Sequence, residues 1–551
     1  MLLIVWPILL LEVFAPGWLL LRGLSSWDED DCMALAIPTG ALAMGLLGLA
    51  GLWLQWEADA AAWIALGAPL ALGLVAAGLR RRSLLPASRD HRRLLVAWFA
   101  ATSLFLALQT RVAAYIGGGW YNDWLLSYQI SWWYGEHGKP DAVFFEVYSP
   151  ISRPPLFYIL NGLEMARWFG LFDLYQWSAT VWNSAILWGA WVWIRRHGST
   201  LLSIKGWRPA GTLAALVLTP AVALNVLIPG CWRCGLLALH YSALEEGLRC
   251  DECLAPLGVA YFTHQLTLAY LAGAGFYLIV SRWRKLSRRR LTEATIGLVL
   301  ALSVSLPWWA WSIENYGLAK TLTTTPVLTR AVDKTGYDML VTRGYNFAGL
   351  WLPENTRRIL TGRLLEPSSA LPRWTEAMQA VWRGTLWGNL GLATLAMLVW
   401  LALRRRLRPV DLWPGWGFVV FVVVFAVAVQ PLRERGGLSQ VALLPLAVIL
   451  FLWTAQVFSV AFSRRGLFAW LALLAVEFLI ACPLWVYQVR EQAFADRLQL
   501  RTDIVAFFQR PDADLLGVAT LAAAVSLLLA LFITSRQKGV DKRDQDGILT
   551  G

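Results

Sequence analysis

Asp123 sits in the run Trp120-Tyr121-Asn122-Asp123-Trp124, a carboxylate among aromatic and amide groups just past a long apolar stretch. An acidic side chain beyond a membrane helix is costly unless it faces water or a partner. This setting suits a general base that takes a proton from a hydroxyl. Asp123 also fits as the N-cap of an amphipathic helix over residues 124–135, because Asp is a favoured cap. Trp120, Tyr121 and Trp124 offer flat apolar faces and polar edges, a pairing that stacks on sugar rings. The plainer role for most of the 33 Trp is an aromatic belt at a membrane interface.

A second constellation is Cys231-x2-Cys234 and Cys250-x2-Cys253, with 15 residues between the pairs. On spacing alone this is a zinc-ribbon pattern. The intervening segment is mostly apolar and reads as helix, and fifteen helical residues rise about 22 Å. A continuous helix would hold the pairs too far apart to share a metal, whereas a hairpin broken near Ser242 would join them. Two local disulfides, or free thiols in apolar surroundings, are the other readings.

The elements that must position these residues belong to a membrane protein. Of the 551 residues 58% are hydrophobic and 15% charged, against roughly 25% charged in soluble proteins. Mean hydropathy is +0.52. This composition excludes disorder, collagen and a small disulfide scaffold. Runs long enough to cross a bilayer lie near 2–21, 33–54, 60–79, 94–116, 178–194, 210–228, 233–248, 254–281, 291–311, 382–403, 414–430, 438–460, 467–487 and 515–534. With 154–171, spanning or partly re-entrant, the expectation is an all-α polytopic bundle of about 13–15 spans. The first run lacks a basic leader and a small-residue cleavage site, so it reads as a retained helix.

The net charge of +12 comes from basic runs between apolar stretches, the positive-inside pattern. No basic domain interleaved with aromatics stands apart, so nucleic acid is not an expected partner. Arg80-Arg81-Arg82 with Arg89, Arg92 and Arg93 marks one inner loop, and the runs at 282–290, 404–408, 464–465 and 536–543 mark others. This places loops 117–153, 312–381, 430–437 and 488–514 outside. Arg195, Arg196, Lys205 and Arg208 keep 195–209 inside if 154–171 is partly re-entrant. The expected organisation is a three-helix membrane extension over 1–93 and a transmembrane core over 94–311 that includes the first external loop, 117–153. An external region over 312–381, further membrane helices over 382–534 and an inner tail over 535–551 complete it.

Together these stretches resemble the multi-spanning GT-C glycosyltransferases, including bacterial protein O-mannosyltransferases and aminoarabinose transferases. The resemblance rests on an acidic motif in the first external loop, here Asp123, followed by Arg153-Pro154-Pro155-Leu156-Phe157-Tyr158 leading into the next helix. It also rests on Pro307-Trp308-Trp309 through Glu314-Asn315-Tyr316, on Tyr261-Phe262-Thr263-His264-Gln265, and on Arg433-Glu434-Arg435 before Leu443-Leu444-Pro445-Leu446. Members usually show two acidic residues where this chain has Asn122-Asp123, and an Arg where it has Glu314. The resemblance covers roughly residues 94–460 and implies a GT-C-like fold with helical external loops.

It also implies an activity: sugar transfer from a polyprenyl-phosphate carrier to a lipid, glycan or protein acceptor. The reaction would run at the extracytoplasmic face of a bacterial inner membrane. In that reaction Asp123 is the base. Arg153, Arg433 and Arg435 hold the phosphate, since a guanidinium fork matches its oxygens. Asp141 and Glu146 position the acceptor. No cofactor is required; a divalent cation and a structural zinc on the cysteines are the options left open. Snorkelling or surface pairing is the alternative role for each arginine.

Two other classes compete. A transporter or lipid flippase would show repeats and charges at helix midpoints, whereas the sequence concentrates its charges at helix ends and in loops. A non-catalytic scaffold for envelope assembly fits if Asn122-Asp123 marks a lost site.

Overall fold

Apolar runs of twenty residues or more fold here as long helices, because each closes its own backbone hydrogen bonds away from water. The computed structural model describes residues 2–109, 122–144, 148–168, 172–198, 216–219, 303–324, 337–349, 351–352, 381–382, 385–406, 416–422, 424 and 440–494, with isolated positions between 262 and 299. The principal helices are α1 (Leu2–Leu24), α2 (Glu29–Trp53), α3 (Ala58–Leu79), α4 (Arg89–Gln109), α5 (Asn122–Gly135), α6 (Leu156–Arg167) and α7 (Phe172–Asn183). They continue as α8 (Ala185–Gly198), α9 (Leu306–Tyr316), α10 (Leu318–Thr324), α11 (Tyr337–Gly349), α12 (Leu392–Leu403), α13 (Gln440–Ala461) and α14 (Arg464–Phe494). Among the described residues the only β feature is an isolated bridge between Phe144 and Tyr148. Three helices there, Val5–Leu24, Glu29–Trp53 and Ala58–Leu79, are long and apolar enough to cross a membrane.

Helices α1, α2 and α3 pack on one another and onto α6, α7 and α8. One apolar core runs from Val5 through Trp191, so packing is continuous across residue 93. The α1–α2 crossing brings backbone to backbone. A Cβ on Gly17 would lie 1.8 Å from the Ala36 carbonyl oxygen and 2.4 Å from the Gly40 nitrogen. Small residues permit such an approach where helices associate in a bilayer.

The polar groups sort the bundle into two ends. At one end Glu29 accepts from the Ser88 amide at 3.0 Å and lies 2.8 Å from His91 Nδ1. His91 Nε2 lies 2.6 Å from Asp30. Arg80 and Arg82 donate to the Ser25 and Arg22 carbonyls at 3.0 and 3.3 Å. At the other end the α2–α3 turn receives the His137 ring, whose Nδ1 lies 2.9 Å from the Trp56 carbonyl. A carbonyl only accepts, so His137 donates from Nδ1. Burial lowers the His137 pKa, against the Trp56 bond and nearby Glu136.

Several long apolar runs are broken. The run over 178–194 divides at Ser184 into α7 and α8. Helix α6 has 12 residues, about 18 Å at 1.5 Å each, short of a hydrocarbon core of about 30 Å. It runs beside the half of α2 nearer the α2–α3 turn: a Cβ on Gly45 would meet Leu156, and one on Gly48 would meet Ile159 and Leu163.

The run over 382–403 is also broken. A 3-10 turn over Gly388–Leu390 and Gly391, at φ +86°, precede the 12-residue α12. Glu477, inside α14, caps that start. Its Oε1 accepts from the Leu392 amide and the Trp382 indole at 2.6 and 2.7 Å, and its Oε2 from the Ala393 amide at 2.8 Å. A carboxylate at a helix N-terminus is favoured by the unpaired amides and the helix dipole.

Charges therefore do occur in the middle of helices, contrary to the sequence expectation, but as internal partners. Glu12 lies midway along α1 and Glu477 near the centre of α14. Glu477→Ala is expected to destabilise the protein by about 3 kcal/mol or more, because three donors lose a charged acceptor. Glu477→Gln, which keeps one acceptor oxygen, is expected to lose less; denaturant titration of the detergent-solubilised protein checks both.

Candidate functional site

Helix α5, Asn122–Gly135, is apolar and aromatic on most sides; Ser127 and Ser131 are buried within it, and the Ser131 hydroxyl donates to the Ser127 carbonyl at 2.8 Å. The helix packs on α6 at a glycine contact. A Cβ on Gly162 would lie 2.4 Å from the Ser131 carbonyl oxygen and 2.7 Å from the Gly135 nitrogen. Pro154 and Pro155 precede α6, and Pro155 takes its N-cap position. Before them the turn over Pro150–Ser152 is closed by Ser149 and Ser152 in a capping box. Arg153 is extended at φ −140° and ψ 148°. Its half-buried side chain acts electrostatically on the Tyr175 hydroxyl.

Asp123 lies in the first turn of α5, inside the helix rather than ahead of it. The side chains of Asp123 and Trp124 fall outside the described residues, as do Trp120, Tyr121, Glu146, Arg433, Arg435, Cys231, Cys234, Cys250 and Cys253. Asp141 is exposed and acts on Tyr316. Of the expected residues with described side chains, Asp141 and Arg153 border one aromatic region. Among the described residues no three His, Cys, Asp or Glu side chains are arranged to hold a metal.

That region is where α5 meets α9. The Trp133 and Trp311 ring centroids lie 5.9 Å apart, and Trp311 and Tyr316 also 5.9 Å. The Lys320 ammonium lies 5.2 Å from the centre of the Tyr316 ring. Tyr128 and Tyr175 meet edge to face at 5.4 Å. The segment containing Pro307 through Tyr316 therefore abuts the helix that begins with Asn122-Asp123. Burial pushes the Tyr134 hydroxyl well above the ordinary phenol range, with Tyr316 adding to the shift and Trp308 opposing it. Tyr316 is raised by burial first and by the Asp141 charge second. Both phenols stay protonated and able to donate.

Polar atoms in this contact are poorly satisfied. The Tyr134, Ser312 and Tyr316 hydroxyls and the Trp308 indole nitrogen are buried without a well-formed hydrogen-bond partner among the described residues. The Trp308 N–H is directed at the Tyr134 oxygen. Such orphans cost about 1–3 kcal/mol each. Sequence reasoning missed this group, although Trp308, Ser312 and Tyr316 recur every four residues and so share one face of α9.

A buried ion cluster stands behind α6. Arg167 donates from Nη2 to Glu12 at 3.1 Å and pairs with Glu164 at 2.6 Å. Its Nη1 donates to the Ala62 carbonyl at 3.1 Å. Arg167 and Glu12 are 6% and 7% exposed and Glu164 is fully buried. The cluster ties α6 to α1 and α3. Sequence reasoning passed over it, although Glu12 within an apolar run is itself a signal.

No family model and no curated protein matches the sequence. Among solved structures the chain is similar to ArnT from Cupriavidus metallidurans bound to undecaprenyl phosphate, at 14% identity over 77% of each chain and a TM-score of 0.41.

Proposed function

We propose that the protein is a membrane glycosyltransferase that moves a sugar from a polyprenyl-phosphate carrier to an acceptor at the extracytoplasmic face. The observation that carries this reading is the junction of two segments expected at or just beyond the outer ends of membrane runs. The one that opens with Asp123 and leads to Arg153-Pro154-Pro155 meets the one over Pro307–Tyr316 through Trp133 and Trp311, 5.9 Å apart. These are two of the stretches whose sequence resembles GT-C enzymes. Their meeting at the α2–α3 end of the bundle, away from Arg80 and Arg82, suits a carrier whose tail stays in hydrocarbon while its phosphate reaches the interface. In this reading Asp123 takes the acceptor proton and Arg153 binds the phosphate. The mid-helix charges do not favour a transporter, because Glu12 and Glu477 are committed to partners within the bundle.

Undecaprenyl phosphate, the lipid in the ArnT crystal structure, is the first probe. The purified protein in nanodiscs is expected to bind it, and Arg153→Ala to weaken binding about tenfold, the value of one charge-assisted hydrogen bond. Native mass spectrometry or a ligand-induced thermal shift measures both. Absence of binding by the wild-type chain would count against the carrier.

A further inference from the structure

We infer that the α9 face bearing Trp308, Ser312 and Tyr316, with Tyr134 opposite on α5, is a wall that holds the hydroxyl oxygens of a pyranose carried on a lipid phosphate. This rests on the transfer reading and assigns the sugar's place within it. Trp308, Ser312 and Tyr316 stand four residues apart along one helix, so their side chains line one face. Trp308 is 2% exposed, Ser312 0% and Tyr134 4%. Their polar atoms and the Tyr316 hydroxyl lie buried without a well-formed partner among the described residues. The Trp308 N–H is directed at the Tyr134 oxygen, which leaves the Tyr134, Ser312 and Tyr316 O–H groups, and three unsatisfied hydroxyls at one helix contact call for a ligand, water or a chemical role.

The chemistry of the four selects among ligands. All of them donate, and none is a cation. Tyr134 and Tyr316 are neutral at physiological pH as ordinary phenols are, and burial raises both further. Neutral donors suit sugar hydroxyl and ring oxygens, which also offer donors back to the three hydroxyls. A phosphate would instead call for guanidinium or ammonium groups, and those stand at the margin of the region: Arg153 beside Tyr175, and Lys320 over the Tyr316 ring.

The test compares undecaprenyl phosphate with its hexose-bearing form, binding to the full chain in nanodiscs. Wild type should bind the hexose form about tenfold tighter or more. Tyr134→Phe, Tyr316→Phe and Ser312→Ala should each erase most of that difference while leaving affinity for the bare phosphate unchanged. Because each removes an orphaned hydroxyl, the unliganded variants should melt at or above the wild-type temperature. This keeps a loss of sugar binding separate from a loss of fold, and Ser312→Ala serves if a tyrosine variant does not fold. Equal wild-type affinity for the two lipids, or variants that keep the full preference for the hexose form, would overturn the assignment. A sugar preference that the variants abolish, in a protein that transfers no label, would uphold the wall and sink the transferase reading instead.

Discussion

Arg167→Leu is expected to destabilise the protein by about 3–5 kcal/mol, the cost of stranding buried charge when one partner of an ion cluster is removed. The guanidinium lies between the carboxylates of Glu12 and Glu164 at 3.1 and 2.6 Å and also holds the Ala62 carbonyl. Without it two carboxylates remain inside an apolar bundle and a backbone acceptor loses its donor. Glu12→Gln is the matched contrast. Its amide oxygen still accepts from Arg167, and the remaining Arg167–Glu164 pair is neutral, so the expected cost is below about 1 kcal/mol. Chemical denaturation in detergent measures both. Equal losses for the two variants would show that the cluster acts through packing rather than charge. The cluster also bears on the site, because it anchors the end of the helix on which α5 rests at Gly162.

The second large effect is catalytic. Asp123→Asn is expected to lower the rate of sugar transfer by about 10²- to 10⁴-fold, the usual contribution of a positioned general base. Folding should be preserved, since Asn keeps the shape and remains compatible with the first turn of a helix. Affinity for the lipid-linked donor should change little, because the base acts on the acceptor hydroxyl. A role confined to the helix dipole predicts the reverse: a stability change of about 1 kcal/mol or less, with transfer intact.

Much of the helix layout is legible in the sequence. The apolar runs at 2–21, 33–54 and 60–79 fall within α1, α2 and α3 or within a residue of them, and the helix expected over 124–135 lies within α5, though without the amphipathic face expected of it, since Ser127 and Ser131 are buried. Hydropathy finds these because burial demands apolar residues over a fixed length. It does not find breaks, since a turn inside a bundle satisfies its polar groups with partners from elsewhere. Ser184 donates to the Val181 carbonyl and receives the Trp98 indole N–H; the start of α12 is satisfied by Glu477, 85 residues away from Leu392. The Arg167 cluster is hidden for the same reason, as Glu12 precedes it by 155 positions.

The site divides along similar lines. Arg153 and Asp141, expected from residue type and loop position, lie beside Tyr175 and Tyr316 at the aromatic junction, and their roles there are part of the proposal. Tyr134 and the face of α9 are not recognisable, because neutral aromatic donors resemble an interfacial belt until the helix opposite them is known. The sequence spacing shows that Trp308, Ser312 and Tyr316 share a face; only the fold sets Tyr134 and Trp133 against it.

The most direct test of the central claim is transfer itself. Purified wild-type protein and Asp123→Asn in nanodiscs would be offered radiolabelled polyprenyl-phosphate hexoses together with acceptors from a membrane extract. The account predicts that label moves to an acceptor with wild type and falls by at least about a hundredfold with the variant. Label that never leaves the carrier with any donor, from a wild-type protein that binds or translocates the lipid, would contradict it and point to a lipid transporter.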